Sequence, residues 1–341
     1  MTSKIKTLIH DFEVAFCGYS NSGKTTLVTR VIESLSSEYS IGYLKHDAHK
    51  FSMDKEGKDT DRAAKAGASS IHINSSIGSA TLRTDSFVEF DLRDNFLDND
   101  FAFIEGYKNS HARKILVLGV GETKEQMLSE YREGKFSNVL AIVGRDESAE
   151  NFDVDYFDAD DIESISTFIL DGFKKRIKER PLYGLVLSGG KSTRMGQDKG
   201  GLSYHGTSQT EHLYKMMQEV CDDVFVSCRS DQKEESHISG LNTIEDQILN
   251  IGPIGGILSA MLKHRDARFM VMACDLPFVD SSTIAQLKSE ADPFKVATSF
   301  VNPEKKWAEP LCTIYEPKAY AKLFKVLSLG KMCPRKVLLN S

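Results

Sequence analysis

LVLSGGKSTRMGQDKGGL, Leu185 to Leu202, is the stretch whose reading decides the second half of the chain. It opens as a short apolar run, Leu185 to Leu187, breaks at Ser188-Gly189-Gly190, and continues through Lys191, Arg194, Asp198 and Lys199. A buried strand that ends in glycines lets backbone come close to a phosphate, because no Cβ stands in the way. The exposed N–H groups of such a loop make an anion-binding concavity. Arg194 and Lys199 are then placed to neutralise charge that develops as a phosphodiester is made or broken. The loop is not of the G-x-x-x-x-G-K-[ST] type, since no second glycine precedes a Lys-Ser/Thr pair at that distance. Asp198 has a plainer alternative, pairing with Arg194 or Lys199.

Downstream, Glu211 to Val220 has a helical pattern, and Asp223 to Val226 reads as a strand that ends in Ser227-Cys228-Arg229. Asn242 to Ile244 leads into Glu245-Asp246. A second glycine-rich turn, Gly252 to Gly256, precedes a helix over Ile257 to Lys263. Phe269 to Cys274 is a wholly apolar strand that runs into Asp275-Leu276-Pro277-Phe278. A carboxylate that follows a buried strand, opposite a phosphate-binding loop, is placed to hold Mg²⁺ on bound phosphates. The plainer reading of Asp275 is an aspartate capping the turn before Leu-Pro.

The first half has its own phosphate signal. Glu13 to Cys17 is a short buried-strand pattern that runs straight into Gly18-Tyr19-Ser20-Asn21-Ser22-Gly23-Lys24-Thr25, which satisfies G-x-x-x-x-G-K-[ST]. Leu27, Val28, Val31, Ile32 and Leu35 follow at helical spacing, so the motif sits between strand and helix as its chemistry requires. Backbone N–H groups from Asn21 to Thr25 would cradle phosphate oxygens at the helix start. Lys24 would reach the β- and γ-phosphates, and the Thr25 hydroxyl would ligate Mg²⁺. Phe101 to Ile104 is a central strand that ends in Glu105-Gly106-Tyr107-Lys108, and Glu105 is placed as a metal or water ligand facing the loop.

Around these lie further expected elements. Ile41 to Lys45 reads as a strand ending at His46, Asp47 and His49, a polar loop rather than a zinc site, which wants three or four convergent ligands. Arg62 to Ala68 reads as a short alanine-rich helix, and Ile71 to Ile73 and Ser79 to Leu82 as short strands. Phe87 to Phe90 fits a strand or a helix start. Lys114 to Leu118 and Val139 to Val143 supply two more strands, with a helix between them. Residues 145 to 161 are acidic and poor in aliphatics. A helix from Ile162 then carries basic residues at its end and stops before Pro181.

Composition sets the outer bounds. A chain of 341 residues holds two domains more readily than one, since single cores rarely grow past roughly 250–300 residues. We expect a division into residues 1–180 and 181–341. A net charge of −6 argues against a protein that coats nucleic acid. The six cysteines form no C-x-x-C pair and no zinc spacing, which suits small core residues in a reducing cytoplasm. The first twelve residues hold too short an apolar segment for a signal peptide, and no run approaches a membrane span. The expected class is α/β, and the family resemblance below implies a P-loop NTPase domain followed by a Rossmann-like nucleotidyltransferase (GT-A-like) domain.

The string from Leu187 to Lys199 resembles the signature LAGGxSxRMGxDK of the molybdenum cofactor guanylyltransferases (MobA), with Ser188 in place of alanine. The segment from Asp246 through Gly252 to Gly256 is similar to that family's D…GPLxG stretch. The P-loop, Lys45 to His49, Gly57 to Thr60 with Ala66 to Ala68, and Glu105 to Lys108 together resemble MobB, a GTP-binding adapter, over roughly residues 10 to 145. The resemblance implies transfer of GMP from GTP to molybdopterin or its molybdenum form, with Arg194, Lys199 and Asp275 as catalytic residues. It implies a GTP site at Leu187, Ser188, Gly189, Gly190, Lys199, Ser227, Asp246 and Asp275. A second GTP site is implied at Asn21, Ser22, Gly23, Lys24, Thr25, Thr26 and Glu105. Mg²⁺ would lie at Asp275, and at Thr25 with Glu105. A homodimer through the first domain, and molybdoenzymes or other proteins of the cofactor pathway as partners, are implied as well.

The family has Asn where Ser227 stands, and the chain lacks its final N-T-P-x-D stretch, so a shortened second domain is expected. No N-K-x-D guanine-reading motif is present in the first half. Two other readings stay open: a sugar-phosphate or cytidylyl transferase on the same fold, and a non-catalytic GTP-binding scaffold that delivers cofactor.

Overall fold

The computed structural model describes residues 9–45, 56–83, 89–145, 152–188, 208–232, 235 and 238–339. By its internal contacts the chain divides into two units, Met1–Ile169 and Leu170–Ser341. The change of unit falls inside the helix that precedes Pro181.

The first unit runs β1 (Glu13–Cys17), α1 (Lys24–Leu35), β2 (Ile41–Lys45), α2 (Asp59–Lys65), β3 (Ser70–Asn74), β4 (Ser79–Arg83), α3 (Glu89–Phe96), β5 (Phe101–Glu105), β6 (Lys114–Val117), α4 (Glu122–Arg132), β7 (Val139–Gly144) and β8 (Asp155–Asp158), then enters α5 (Ile162–Lys178). Six strands form one sheet in the order β2-β5-β1-β6-β7-β8, and every pair is parallel. Parallel strands covered on both faces read as unbroken apolar runs. β1, β5 and β6 are buried along their whole length accordingly. Leu27, Val28, Val31 and Leu35 make the buried stripe of α1, while Ile32 is only half-buried.

Two charged residues inside this sheet are satisfied locally. Glu13 accepts from the Ile9 and His10 amides at 2.7 and 2.9 Å. Lys114, wholly buried, donates to the carbonyls of Ser110, Ala112 and Ser137 at 2.6, 2.7 and 3.0 Å. Burial depresses the lysine pKa, because water no longer solvates the ammonium.

The structure departs from the sequence reading in detail. β8 lies inside the acidic stretch that the composition marks only as a join. It is four residues long, Asp155-Tyr156-Phe157-Asp158, with a carboxylate at each end, which suits an exposed sheet edge. α2 starts three residues earlier than expected, with Asp59 and Asp61 in its first turn, where the helix dipole favours them. Phe87 and Val88 lie outside the described residues, and the helix that follows begins at Glu89. β3 and β4 pair as an antiparallel hairpin outside the main sheet.

The second unit continues with β9 (Leu182–Leu187), α6 (Gln209–Gln218), β10 (Asp223–Cys228), β11 (Thr243–Glu245), α7 (Pro253–Lys263), β12 (Arg268–Ala273), α8 (Ser281–Ser289), β13 (Ala297–Val301), β14 (Ala308–Tyr315), α9 (Ala319–Ser328) and α10 (Arg335–Leu338). Its sheet order is β11-β10-β9-β12-β14-β13. β9 to β12 are mutually parallel, and β14 runs antiparallel to both its neighbours. Two buried clusters line its two faces, one built with α7 and α9 and the other with α6 and α8.

α7 begins at Pro253 rather than Ile257, so Gly255 and Gly256 are helical. Proline suits that first position, where its missing N–H has no partner to lose. Gly256 is needed for closeness: a Cβ there would collide with the Ser227 hydroxyl and touch Leu187 at 3.1 Å. No described helix is long and apolar enough to cross a membrane. All six cysteines are free, four of them buried.

Candidate functional site

In the first unit the chain turns from β1 into α1 through the glycine loop. Gly18 is pressed against β6: a Cβ would lie 2.5 Å from the Val117 carbonyl oxygen and collide with the Ser22 hydroxyl. Gly23, with φ of 88°, takes the left-handed conformation that turns the loop into the helix. Lys24 Nζ donates to the Tyr19 carbonyl of its own loop at 2.6 Å. Burial lowers its pKa, opposed by the Glu105 carboxylate.

β5 lies directly beside β1, with Glu105 opposite Phe16. That adjacency delivers the carboxylate to the loop, where the Thr25 hydroxyl donates to its two oxygens at 2.8 and 3.0 Å. Tyr43 from β2 donates to Glu105 at 2.5 Å, and Lys45 Nζ stands 3.4 Å away. Burial pushes the Glu105 carboxyl up, but the bonds from Tyr43, Thr25 and Lys45 outweigh it and hold the pKa below the ordinary value. The site therefore presents an ionised carboxylate and a hydroxyl side by side, an oxygen-only donor pair of the kind Mg²⁺ takes along with phosphate oxygens.

The structure thus brings Thr25, Lys24 and Glu105 to one place. Asn21, Ser22, Gly23 and Thr26 line a cleft next to it. Ser22 Oγ is buried and has no hydrogen-bond partner among the described residues. Tyr43 and Lys45 were not assigned a role by sequence reasoning. A tyrosine on a strand carries no motif, and only the β2–β5 register aims it at the carboxylate. His46, Asp47 and His49 lie outside the described residues.

In the second unit, register does the equivalent work. Ser227, Leu187 and Ala273 stand in one row across β10, β9 and β12. The chain leaves all three strands at the same sheet edge, where ligands of parallel α/β sheets bind. Ser188 follows β9, and Asp275 stands exposed two residues beyond β12. Asp246 follows β11 and its amide donates to the Cys228 carbonyl at 2.9 Å.

The side chains there differ in access. Ser188 is buried and shares a hydrogen bond of 3.3 Å with Thr210. Ser227 is buried beneath Gly256 and donates to Asp246 Oδ1 at 2.6 Å. Its hydroxyl therefore reaches the edge through Asp246. Burial raises the Asp246 pKa, opposed by the Ser227 bond and by Arg229. Gln209, missed in the sequence, is wholly buried at the start of α6 and donates to the Leu276 carbonyl at 3.3 Å, holding that helix to the turn after Asp275. A glutamine in a helix's first turn reads as polar surface, so no sequence signal marked it. Gly189, Gly190, Arg194 and Lys199, with Lys191 and Asp198, lie outside the described residues.

Comparison with known proteins divides the chain at the same join. The family model described as "MobA-like NTP transferase domain" matches residues 184–340, and "Molybdopterin guanine dinucleotide synthesis protein B" matches residues 13–145. The Synechocystis "Molybdenum cofactor biosynthesis bifunctional protein" is 35% identical over 49% of this chain and 48% of its own length. This chain thus matches about half the length of that relative. A "Probable molybdenum cofactor guanylyltransferase" of Bacillus cytotoxicus is 31% identical over 45% of this chain and 77% of its own length. The Pseudomonas syringae pv. tomato "Molybdenum cofactor guanylyltransferase" is 30% identical over 46% and 79%. Among solved structures, Bacillus subtilis MobB is 28% identical over 47% of this chain and 96% of its own, with a TM-score of 0.40. The chain belongs to the molybdenum cofactor guanylyltransferase family, with a MobB domain ahead of its transferase domain.

Proposed function

We propose that the second unit transfers GMP from GTP to molybdopterin, or to its molybdenum-bearing form, while the first unit binds GTP as an adapter. The functional division follows residues 1–180 and 181–341. One observation carries the reading: the strands leading to Ser188, Asp246 and Asp275 end at one sheet edge. The signature loop would then start at the edge from which Asp275 could hold a metal.

In this reaction a terminal phosphate oxygen of the pterin attacks the α-phosphorus of GTP. A new P–O bond forms, the bond to the bridging α–β oxygen breaks, and pyrophosphate leaves. No covalent enzyme intermediate is needed, so the protein contributes positioning and charge neutralisation. The backbone of Leu187, Ser188, Gly189 and Gly190 would bind GTP phosphate and base, Asp246 would orient it with Ser227 behind, and Arg194 and Lys199 would balance charge. Mg²⁺ would be held by Asp275 in the second unit and by Thr25 and Glu105 in the first. When bound, it neutralises phosphate charge and that of the departing pyrophosphate. In the first unit, Asn21 to Thr26 would hold the triphosphate, with Lys24 across its β- and γ-phosphates.

A homodimer through the first unit, a cytoplasmic setting, and molybdoenzymes or other cofactor-pathway proteins as recipients belong to the same reading. The test is pyrophosphate release with each of the four nucleoside triphosphates, with and without molybdopterin. Release only with GTP and only with the pterin is expected. Release with CTP or with a sugar phosphate would move the chain to another transferase class, and no release with any pair would leave a GTP-binding scaffold.

A further inference from the structure

The first unit has no N-K-x-D motif, yet a cleft beside its phosphate loop has the form of a base pocket. It measures about 120 Å³ and runs from Gly23 past Leu118 and Val120, beyond β6, to Arg145, beyond β7. Leu118 is buried and Val120 is 78% exposed, so the walls present apolar surface to whatever enters. Apolar walls with a few oriented polar groups are the usual make-up of a nucleoside site.

Besides Asn21, Ser22 and Thr26 of the phosphate loop and α1, its polar lining includes two arginines arranged unequally around the Asp160 carboxylate. Arg30, from α1, gives both ends of its guanidinium to Asp160: Nη1 donates to Oδ1 at 2.7 Å and Nη2 to the backbone carbonyl at 3.3 Å. Asp160 is thereby fixed. Arg145 Nη2 stands 3.8 Å from the same Oδ1, close enough for attraction and too far for a hydrogen bond. Among the described residues no acceptor takes a hydrogen bond from Arg145, whose side chain is 66% exposed and lines the cleft with its donors unspent.

We propose that Arg145 reads the O6/N7 edge of a 6-oxopurine, and so selects guanine over adenine in the first unit. This inference rests on the reading of that unit as a nucleotide-binding domain. A guanidinium fork matches two adjacent acceptors, and guanine offers O6 and N7 side by side. Adenine offers N7 beside an amino donor, which would face the arginine N–H groups. Asp160 is the positioning residue that aims the fork, and Arg30 anchors Asp160.

The experiment titrates fluorescent-labelled GTP, ITP, 7-deaza-GTP and ATP into the full chain, with the Lys24→Ala chain supplying the signal of the second unit for subtraction. ITP keeps O6 and N7 but lacks the 2-amino group, and 7-deaza-GTP lacks the N7 acceptor. The expected order is GTP equal to ITP, then 7-deaza-GTP, then ATP, with about ten- to hundredfold between the first and last. Arg145→Met should bring the GTP-to-ATP ratio near one while phosphate-dependent binding persists, and Asp160→Asn should narrow the ratio part of the way. An unchanged ratio in Arg145→Met, or ITP as weak as ATP, overturns the proposal. Should Lys24→Ala remove no binding at all, the nucleotide reading of the first unit fails and the base reading falls with it.

Discussion

Asp275 and Glu105 are both carboxylates at or just past the ends of buried strands, and their surroundings differ. Asp275 is exposed, two residues past β12. Replacing it with asparagine keeps the shape and removes the charge. Asp275→Asn should lower nucleotidyl transfer by at least about a hundredfold, in line with loss of one transition-state electrostatic partner. GTP binding at the first unit should persist, so turnover and titration on one preparation check both halves of the expectation.

Glu105 is nearly buried and held by Tyr43, Thr25 and Lys45. Its pKa is lower in the fold than in the free chain, so the ionised form stabilises the native state at neutral pH. That contribution is lost as pH falls through the folded value, below the ordinary glutamate range near 4.5. A Glu105→Gln chain should therefore show a flatter decline of Tm with acid than the parent, read by thermal melts between neutral and acid pH.

Both carboxylates were legible in the sequence, because an acidic residue at the end of an apolar run stands out against it. Tyr43, Gln209 and Arg145 were not. Each has its partner supplied by strand register or by a segment distant in sequence, and local pattern does not encode that.

At the scale of elements, the apolar runs announced their strands, whereas chemistry hidden by composition did not. β1, β5, β9 and β12 are continuous hydrophobic stretches and were readable as buried strands. β8 was missed, since two aromatics between aspartates look like a polar join until the sheet supplies a neighbour. α7 was placed four residues late, since its glycines look like a turn. Their role is approach: Gly256 lets the helix rest on Ser227.

A test belongs to α6, whose start holds Thr210 against Ser188 and Gln209 against Leu276. Ser208 caps it by accepting from the Glu211 amide at 3.1 Å. Ser208→Ala should cost about 1 kcal/mol of stability, measured by chemical denaturation. Gly256→Ala should cost about 1–3 kcal/mol through overpacking against the buried strand, and should also weaken GTP binding, because Ser227 holds Asp246.

For the whole chain, each unit has its own buried core, and each is proposed to hold its own nucleotide. Occupancy of one site should then stabilise the unit that contains it. A ligand at a hundred times its Kd adds about 2.7 kcal/mol to the state that binds it. Calorimetry with GTP and Mg²⁺ should show a shift that Lys24→Ala removes from the first unit's transition, leaving that of the second.

The β3–β4 hairpin has a different consequence. It stands outside the main sheet, α2 beside it buries no side chain, and Ile73 and Ile77 are 54% and 97% exposed. A ribbon two strands wide in which only Ile71 and Leu82 are half-buried has little beyond its own ladder to hold it closed. Its amides should be among the first in the unit to trade hydrogen for deuterium, and a protease given the folded chain should nick there while the phosphate loop is still intact.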